Sequence, residues 1–447
     1  MPPTTSLRNN NAPLVLLALG TFATGTESFM IAPLLPKLAS DLSVGVAVAG
    51  QLVTAFALTY AVSSPVLSAL TAGIERRKLL IVAMAAFAVA NVIASAAHNY
   101  WQLLGARILL ACAAGLYVPS ASALAGAIVA PERRGTALAV VNGGTSAAIV
   151  LGVPLGAIVG NSFGWRVTFV GVAALAAIAT IGLIAGLRRE VGVGLPVASV
   201  RERITVARQA PVLLALLITT IWATGAYTVY SYLAPYVALA TGIEGSHLSA
   251  VLFVWGIAAV AGLFIGGAAS DIVGARAVMI PAFLLLALAF ASLSASAIFF
   301  SPAEATVPVF LAIIVWGVTA WGFFPAQQSH LIEVAGLKVA SIVLSLNASF
   351  MYLGFSLGAA LGSLTLIRSS VVSLGWVGAL CEIVALVLVL ATVRRATPVG
   401  LSPVRRRDDG QARSKIDVAA LRDGCCHRRP PANRSQACRQ SGPAVMQ

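Results

Sequence analysis

The stretch LGVPLGAIVG, Leu151 to Gly160, returns as LGFSLGAALG, Leu353 to Gly362, sharing Leu-Gly-x-x-Leu-Gly-Ala-x-x-Gly at an offset of 202 residues. Glycine recurs at every fourth position, at 152, 156 and 160 and again at 354, 358 and 362. On a helix these residues form one stripe along which a second backbone can approach closely. Such packing is a sufficient cause for the glycines, and close-packed, bent helices also suit gates. Pro154, inside the first copy, removes a backbone hydrogen bond and introduces a bend. The loop TAGIERRK, Thr71 to Lys78, lies on SDIVGARA, Ser270 to Ala277, at an offset of 199. Two nearly equal offsets indicate one duplication.

Around these repeats the chain is too apolar for water. Of its 447 residues 59% are hydrophobic and 10% charged, which excludes most soluble enzyme classes and makes the bilayer the solvent. A helix needs about 20 apolar residues to cross a bilayer. Twelve such stretches occur, at roughly 13–36, 48–70, 79–97, 101–128, 136–159, 167–187, 211–239, 247–269, 277–300, 307–329, 339–366 and 371–393. The first is longer than a signal-peptide core, contains Glu27 and lacks a cleavage site, so it reads as a span. The repeats fall in stretches five and eleven. Six spans is an even number, so the halves share one topology and an axis along the membrane normal, as in transporters with parallel repeats. The expected fold is therefore an all-α membrane protein of twelve transmembrane helices in two six-helix halves. Its expected parts are a cytoplasmic N-terminal segment (1–12), an N-terminal bundle (13–187), a cytoplasmic linker (188–210), a C-terminal bundle (211–395) and a disordered basic cytoplasmic tail (396–447).

The net charge of +14 comes from 29 Lys and Arg against 15 Asp and Glu. Alternate loops divide the basic residues unequally. One set holds Arg8, Arg76, Arg77, Lys78, Arg133, Arg134, Arg188, Arg189, Arg201, Arg203, Arg208, Arg276, Lys338, Arg394 and Arg395, the other only Lys37, Arg166 and Arg368. By the positive-inside rule both termini face the cytoplasm, in a multi-pass protein of the cell membrane. The excess charge thus has a topogenic origin and no nucleic-acid partner is expected. Cys425, Cys426 and His427 lack a second ligand pair, so neither a metal nor another cofactor is expected.

At this point the residues resemble the major facilitator superfamily, and within it the twelve-span drug-proton antiporter group that includes sugar-efflux and chloramphenicol-resistance-like permeases. The resemblance covers about residues 13–395. GTESFMIAPLLPKLASDL, Gly25 to Leu42, is similar to that group's first-span signature at Glu27, Pro36 and Asp41. Gly267, Asp271, Gly274 and Arg276 match the superfamily's loop signature. In the first half Ala72 and Glu75 replace its Asp and Gly, leaving Arg76, Arg77 and Lys78. Arg107, Ala111 and Gly115 resemble the span-four motif, Gly152, Pro154 and Gly156 the span-five antiporter motif, and Gly164, Trp165, Arg166 and Phe169 the opening of span six. The resemblance implies a monomeric carrier exchanging protons for a small molecule, with Asp271, Gly274, Arg276, Arg76, Arg77, Pro154 and Gly156 as gating residues.

Three ionisable residues lie well inside spans: Glu27, Arg107 and Glu382. Intramembrane charges are costly and mark cavities or partners. A buried carboxyl that can become neutral suits a proton carrier, so Glu27 is the leading coupling residue. Arg107 keeps its charge and acts electrostatically, beside a carboxylate or snorkelling to headgroups. Glu382 reads as a structural or interhelical hydrogen-bonding residue. Candidate substrate contacts are Trp222, Tyr227 and Tyr230 on span seven, Asn142 on span five, and Asn347 and Tyr352 on span eleven, with Tyr232, Thr145 and Gln327 behind them. His98, His247 and His330 read as solvated loop residues. Secondary export of a small neutral or weakly charged molecule, a drug, sugar or nucleoside, is the leading function. A non-transporting membrane receptor or assembly partner stands as the alternative. No G-x-x-x-x-G-K-(S/T) phosphate loop supports ATP coupling, and no intramembrane His/Asp pair supports an enzyme.

Overall fold

The structure is a computed structural model that describes residues 12–71, 73–130, 133–187 and 199–395. The expected tail, Ala72, residues 1–11, 131 and 132, and residues 188–198 of the linker lie outside the described residues. Among the described residues twelve helices are long and apolar enough to span a membrane: Ala12–Asp41, Val46–Leu70, Arg76–Ser95, Tyr100–Ala127, Arg134–Phe163, Trp165–Gly186, Ala210–Tyr230, Gly245–Val273, Ala275–Phe299, Pro302–Ala335, Leu337–Arg368 and Val371–Ala391. They are spans 1 to 12 below. Large apolar side chains stand exposed on peripheral spans, among them Val82 and Val89 on span 3 and Ile178 and Ile181 on span 6. Apolar belts of that extent fit lipid and not water. Spans 1 and 7 are the most enclosed, with 72% of the apolar window of each buried against 39% for spans 6 and 12.

Four local features depart from the sequence expectation. Span 1 continues past Pro36 to Asp41 with Pro33 and Pro36 inside it. Pro33 cannot bond the carbonyl of Phe29, and the Tyr230 hydroxyl donates to that oxygen instead at 3.0 Å. Span 5 widens into a π-turn over Ala148–Gly152 immediately before Pro154, which makes room for the ring. Span 7 is not continuous to 239: it ends at Tyr230 and a second helix, Leu233–Thr241, begins after Ser231 and Tyr232. Pro235 in the first turn of the new helix needs no partner there and cannot extend the old one. The linker is not all coil, because Val200–Ala207 is a helix started by a capping box of Ser199 and Glu202.

The glycine stripes do pack helices. Gly152, Gly156 and Gly160 lie against Thr26, Met30 and Leu34 of span 1, and Gly354, Gly358 and Gly362 lie against Thr220, Thr224 and Tyr232 of the span 7 segment. Both copies of the repeat thus hold the same kind of helix pair.

The two halves join unevenly along their length. The end carrying Arg76, Arg77 and Lys78 is called the basic end here. Towards the other end, Gln51 donates to Ser363 at 2.9 Å, Ser363 to the Ala47 carbonyl at 3.0 Å, Ser356 to the Thr54 carbonyl at 3.1 Å and Asn161 to the Gly245 carbonyl at 3.2 Å. Tyr232 fills the notch between Gly50 of span 2 and Gly362 of span 11, its hydroxyl donating to the Ala359 carbonyl at 3.1 Å. At the basic end the linker helix makes the junction, with Arg203 donating to Ser345 at 2.7 Å. Burial first, and the neighbouring Arg76 charge second, hold the Arg203 guanidinium below its usual value.

Candidate functional site

Spans 1 and 4 bring Glu27 and Arg107, 80 residues apart in sequence, into a hydrogen-bonded ion pair. Both side chains are fully buried. Arg107 is therefore not snorkelling to headgroups. Its Nε donates to the Leu52 carbonyl on span 2 at 3.3 Å, and its guanidinium lies 4.2 Å over the Phe56 ring. Glu27 Oε2 and Arg107 Nη2 are left with no hydrogen-bond partner. A pair so buried depends on its own attraction and hydrogen bonds to offset the loss of water.

Tyr352 on span 11 lies within electrostatic reach of both charges, and Tyr227 on span 7 within reach of Arg107. Tyr352 stacks on Tyr60 of span 2 across the two halves, with centroids 3.7 Å apart and planes at 16°. Tyr227 stacks on Phe355 at 3.7 Å and 18°. Behind them lies an aromatic chamber enclosed by Trp222, Tyr227 and Tyr230 of span 7, Phe29, Trp255, Trp316, Trp321 and Phe355. The rings pack against one another and leave a cavity of only about 20 Å³. A second, wider cavity of about 440 Å³ opens between the halves at the non-basic end, beside Lys37, Asn161 and Glu244.

The structure brings Trp222, Tyr227 and Tyr230 together at the chamber and Tyr352 beside the ion pair. Asn142 departs from expectation: it is exposed and does not line the chamber, because it points away from the stripe of span 5 that faces span 1. Asn347 is buried elsewhere, its carbonyl oxygen accepting from Thr219 at 2.7 Å while Gln327 donates to the same hydroxyl at 2.9 Å and to the Ala215 carbonyl at 2.6 Å. That closed network ties spans 7, 10 and 11 together. Glu382 does not make the expected interhelical hydrogen bond: fully buried beside Gly225 of span 7, it has no partner for either oxygen. His330 is not solvated either, since span 10 runs on to Ala335 and buries it.

The gating candidates divide into two kinds. Asp271 is exposed, and Gly274, with φ of 86°, ends span 8 in a conformation that side-chain-bearing residues rarely adopt. Arg276 is half-buried and within electrostatic reach of His330. Arg77 donates from Nε to the Leu187 carbonyl at 2.7 Å and from Nη2 to the Ile184 carbonyl at 2.8 Å, where its charge also meets the negative end of span 6. Arg76 is buried near Arg203. Pro154 and Gly156 are buried within the contact between spans 5 and 1.

Sequence reasoning missed Phe29, Trp255, Trp316, Trp321 and Phe355. A signal was present for two of them: Trp255 and Trp316 stand ten and fourteen residues into their helices, too deep for an interfacial belt.

Comparison with known proteins agrees with this architecture. The family model described as Major Facilitator Superfamily matches residues 17–238 and 215–437. The Bacillus subtilis protein described as uncharacterized MFS-type transporter YbcL is 33% identical over 386 residues, covering 85% of this chain and 95% of its own. A chloramphenicol resistance protein of Streptomyces lividans is 34% identical over 263 residues, covering 58% of this chain and 67% of its own. A crystal structure of a bacterial homolog to the human lysosomal transporter Spinster superposes with a TM-score of 0.67 at 16% identity, covering 85% of this chain and 96% of that one.

Proposed function

This chain belongs to the Major Facilitator Superfamily and is a multi-pass membrane transporter, and from that premise we propose that it is a proton-coupled exporter of a small neutral or weakly charged organic molecule, a drug, sugar or nucleoside. The observation that carries this reading is the buried Glu27–Arg107 pair, set beside the aromatic chamber through Tyr227 and Tyr352. The protein works as a monomer in the cell membrane, with the basic end and both termini in the cytoplasm. In that orientation the hydrogen bonds that join the halves at the non-basic end lie on the outer side of the membrane.

The cycle follows from charge. Ionised Glu27 is held by Arg107, and the two neutralise each other in a low-dielectric site. A proton arriving from outside binds the Glu27 carboxylate and breaks the ion pair, leaving Arg107 to the Leu52 carbonyl and the Phe56 ring. The halves rock, the proton leaves towards the cytoplasm, and the pair re-forms. Substrate binds the chamber in one state and leaves in the other. Asp271, Gly274, Arg276, Arg76 and Arg77 gate the cytoplasmic end, while Pro154 and Gly156 let span 5 slide on span 1.

The test uses full-length protein in proteoliposomes with an imposed pH gradient and a panel of neutral and weakly charged drugs, sugars and nucleosides. Uphill accumulation with matching proton movement is expected. Glu27→Gln, which imitates the protonated form alone, is expected to abolish uphill transport while leaving downhill exchange in part. Normal pH-driven accumulation by Glu27→Gln sinks the coupling assignment to that residue, and transport of a panel compound without matching proton movement sinks proton coupling altogether. A reporter fused after Arg395 is expected to be active only inside the cell; activity outside overturns the orientation.

A further inference from the structure

We propose that the aromatic chamber selects a flat, conjugated, uncharged molecule whose polar atoms are hydrogen-bond acceptors, such as aryl ketone or nitro oxygens, and that the indole N–H groups of Trp222, Trp255 and Trp316 are the selecting donors. The inference deepens the transporter reading and rests on it for the identity of the binding site.

Each of these three tryptophans lines the chamber, is at least 97% buried, and has an Nε1 with no hydrogen-bond partner. Indole is a donor without an acceptor lone pair, so each group is satisfied only by an acceptor. Buried polar groups are rarely left unmatched, and three unmatched donors of one type around one cavity specify a ligand by what it must offer. The phenol nearest them is already engaged, since the Tyr230 hydroxyl donates to the Phe29 carbonyl. No charged side chain lines the cavity, and the neighbouring Glu27 and Arg107 neutralise each other.

Shape follows from the rings. Tyr230 lies 4.9 Å from Trp255, and Trp255 lies 5.6 Å from Trp316, with planes inclined at 36° and 57°. Because the cavity is only about 20 Å³, a planar ligand enters as these rings part, exchanging ring-ring contacts for ring-ligand contacts. A sugar hydroxyl can accept from an indole N–H, but its many own protons find few acceptors among these rings, so a polyol loses in the chamber hydrogen bonds that it had in water.

The experiment measures binding to purified full-length protein in nanodiscs, with no proton gradient, for three tricyclic compounds of nearly one shape: 9-fluorenone, fluorene and 9-fluorenol. Calorimetry is expected to show fluorenone, with an acceptor alone, binding about tenfold more tightly than fluorene, with fluorenol between them. Trp222→Phe, Trp255→Phe or Trp316→Phe keeps a ring but removes the N–H, so at least one is expected to lower fluorenone affinity severalfold more than it lowers fluorene affinity. Fluorene binding also reports that each variant is folded. Equal affinities for fluorenone and fluorene, equal losses of both in the variants, or binding of a disaccharide in place of fluorenone overturns the proposal. Selective binding without any transport leaves this proposal standing and sinks the transport reading alone.

Discussion

Span 5 lies along span 1 as span 11 lies along span 7, and the same three glycines of the repeat set both approaches, yet they meet different things. Gly152, Gly156 and Gly160 face side chains, those of Thr26, Met30 and Leu34. Gly354 and Gly358 face backbone first, the carbonyls of Thr220 and Thr224, while Gly362 faces the Tyr232 ring and, behind it, the Thr228 carbonyl. Side chains can shift and a helical backbone cannot, so Gly152, Gly156 and Gly160 have slack that Gly354 and Gly358 lack. The division of labour follows the same line. The ion pair belongs to the adjustable half, and most of the aromatic chamber belongs to the half whose helices are locked together. One duplicated scaffold thus carries a buried ion pair in one half and most of an aromatic chamber in the other.

The harshest way to break this contrast is to unpair the charges. Arg107→Ala is expected to destabilise the folded protein by about 3–5 kcal/mol, because Glu27 is left buried without a counter-charge. Glu27→Gln together with Arg107→Gln should recover much of that loss without restoring coupling. Thermal unfolding in detergent reads both, and an unchanged midpoint for Arg107→Ala means that the pair contributes no net stability.

The contrast between glycines is tested next. Gly358→Ala is expected to cost about 1–3 kcal/mol, since its new methyl meets the Thr224 carbonyl and the Thr228 nitrogen. Gly156→Ala should cost less than about 1 kcal/mol, because the methyl meets only Met30, at 3.2 Å from its Cβ, a contact that a shift of a few tenths of an ångström relieves. Equal shifts in unfolding midpoint erase the distinction between the halves.

A smaller effect is expected from Tyr230→Phe, which leaves the Phe29 carbonyl, already deprived of Pro33, without its donor. The sealed arrangement should lose about 1–2 kcal/mol relative to the opposite one, read as faster labelling of a cysteine placed at Ala49, which is buried on span 2 between the junction residues Ala47 and Gln51. Unaltered labelling shows that the bond does not hold the seal. Smallest of all, Asp271→Asn should slow transport with membrane insertion intact. Its exposure means that little stability is at stake, and unchanged kinetics reduce the loop to a topogenic signal.

Much of this was legible in the chain. The spans follow from apolar length, the doubled architecture from Leu151–Gly160 and Leu353–Gly362, and Glu27 and Arg107 from the cost of charge in lipid. Their pairing was not legible, because contact between residues 80 positions apart depends on how spans 1 and 4 are rotated, and all-apolar helices carry little periodicity to fix that rotation. The chamber was half legible: span 7 announced its aromatics, while Trp255 and Trp316 blended into apolar runs. Asn347 lies away from the chamber because polarity inside a span marks either a cavity or a hydrogen-bonded tie between helices, and here it marks the tie to Thr219. The break after Tyr230 had a signal in Pro235, concealed by the hydrophobicity on both sides.

The Tyr232 ring, wedged between Gly50 and Gly362, has an electrical consequence. A carrier that turns over slowly spends its life in a membrane holding a voltage, and a thread of water through the join would let ions run down that voltage continuously. An aromatic plug seated on two glycines, with its only polar atom tied to the Ala359 carbonyl, leaves no room for such a thread. Tyr232→Ala opens that path, so its signature is a leak conductance in the absence of any substrate.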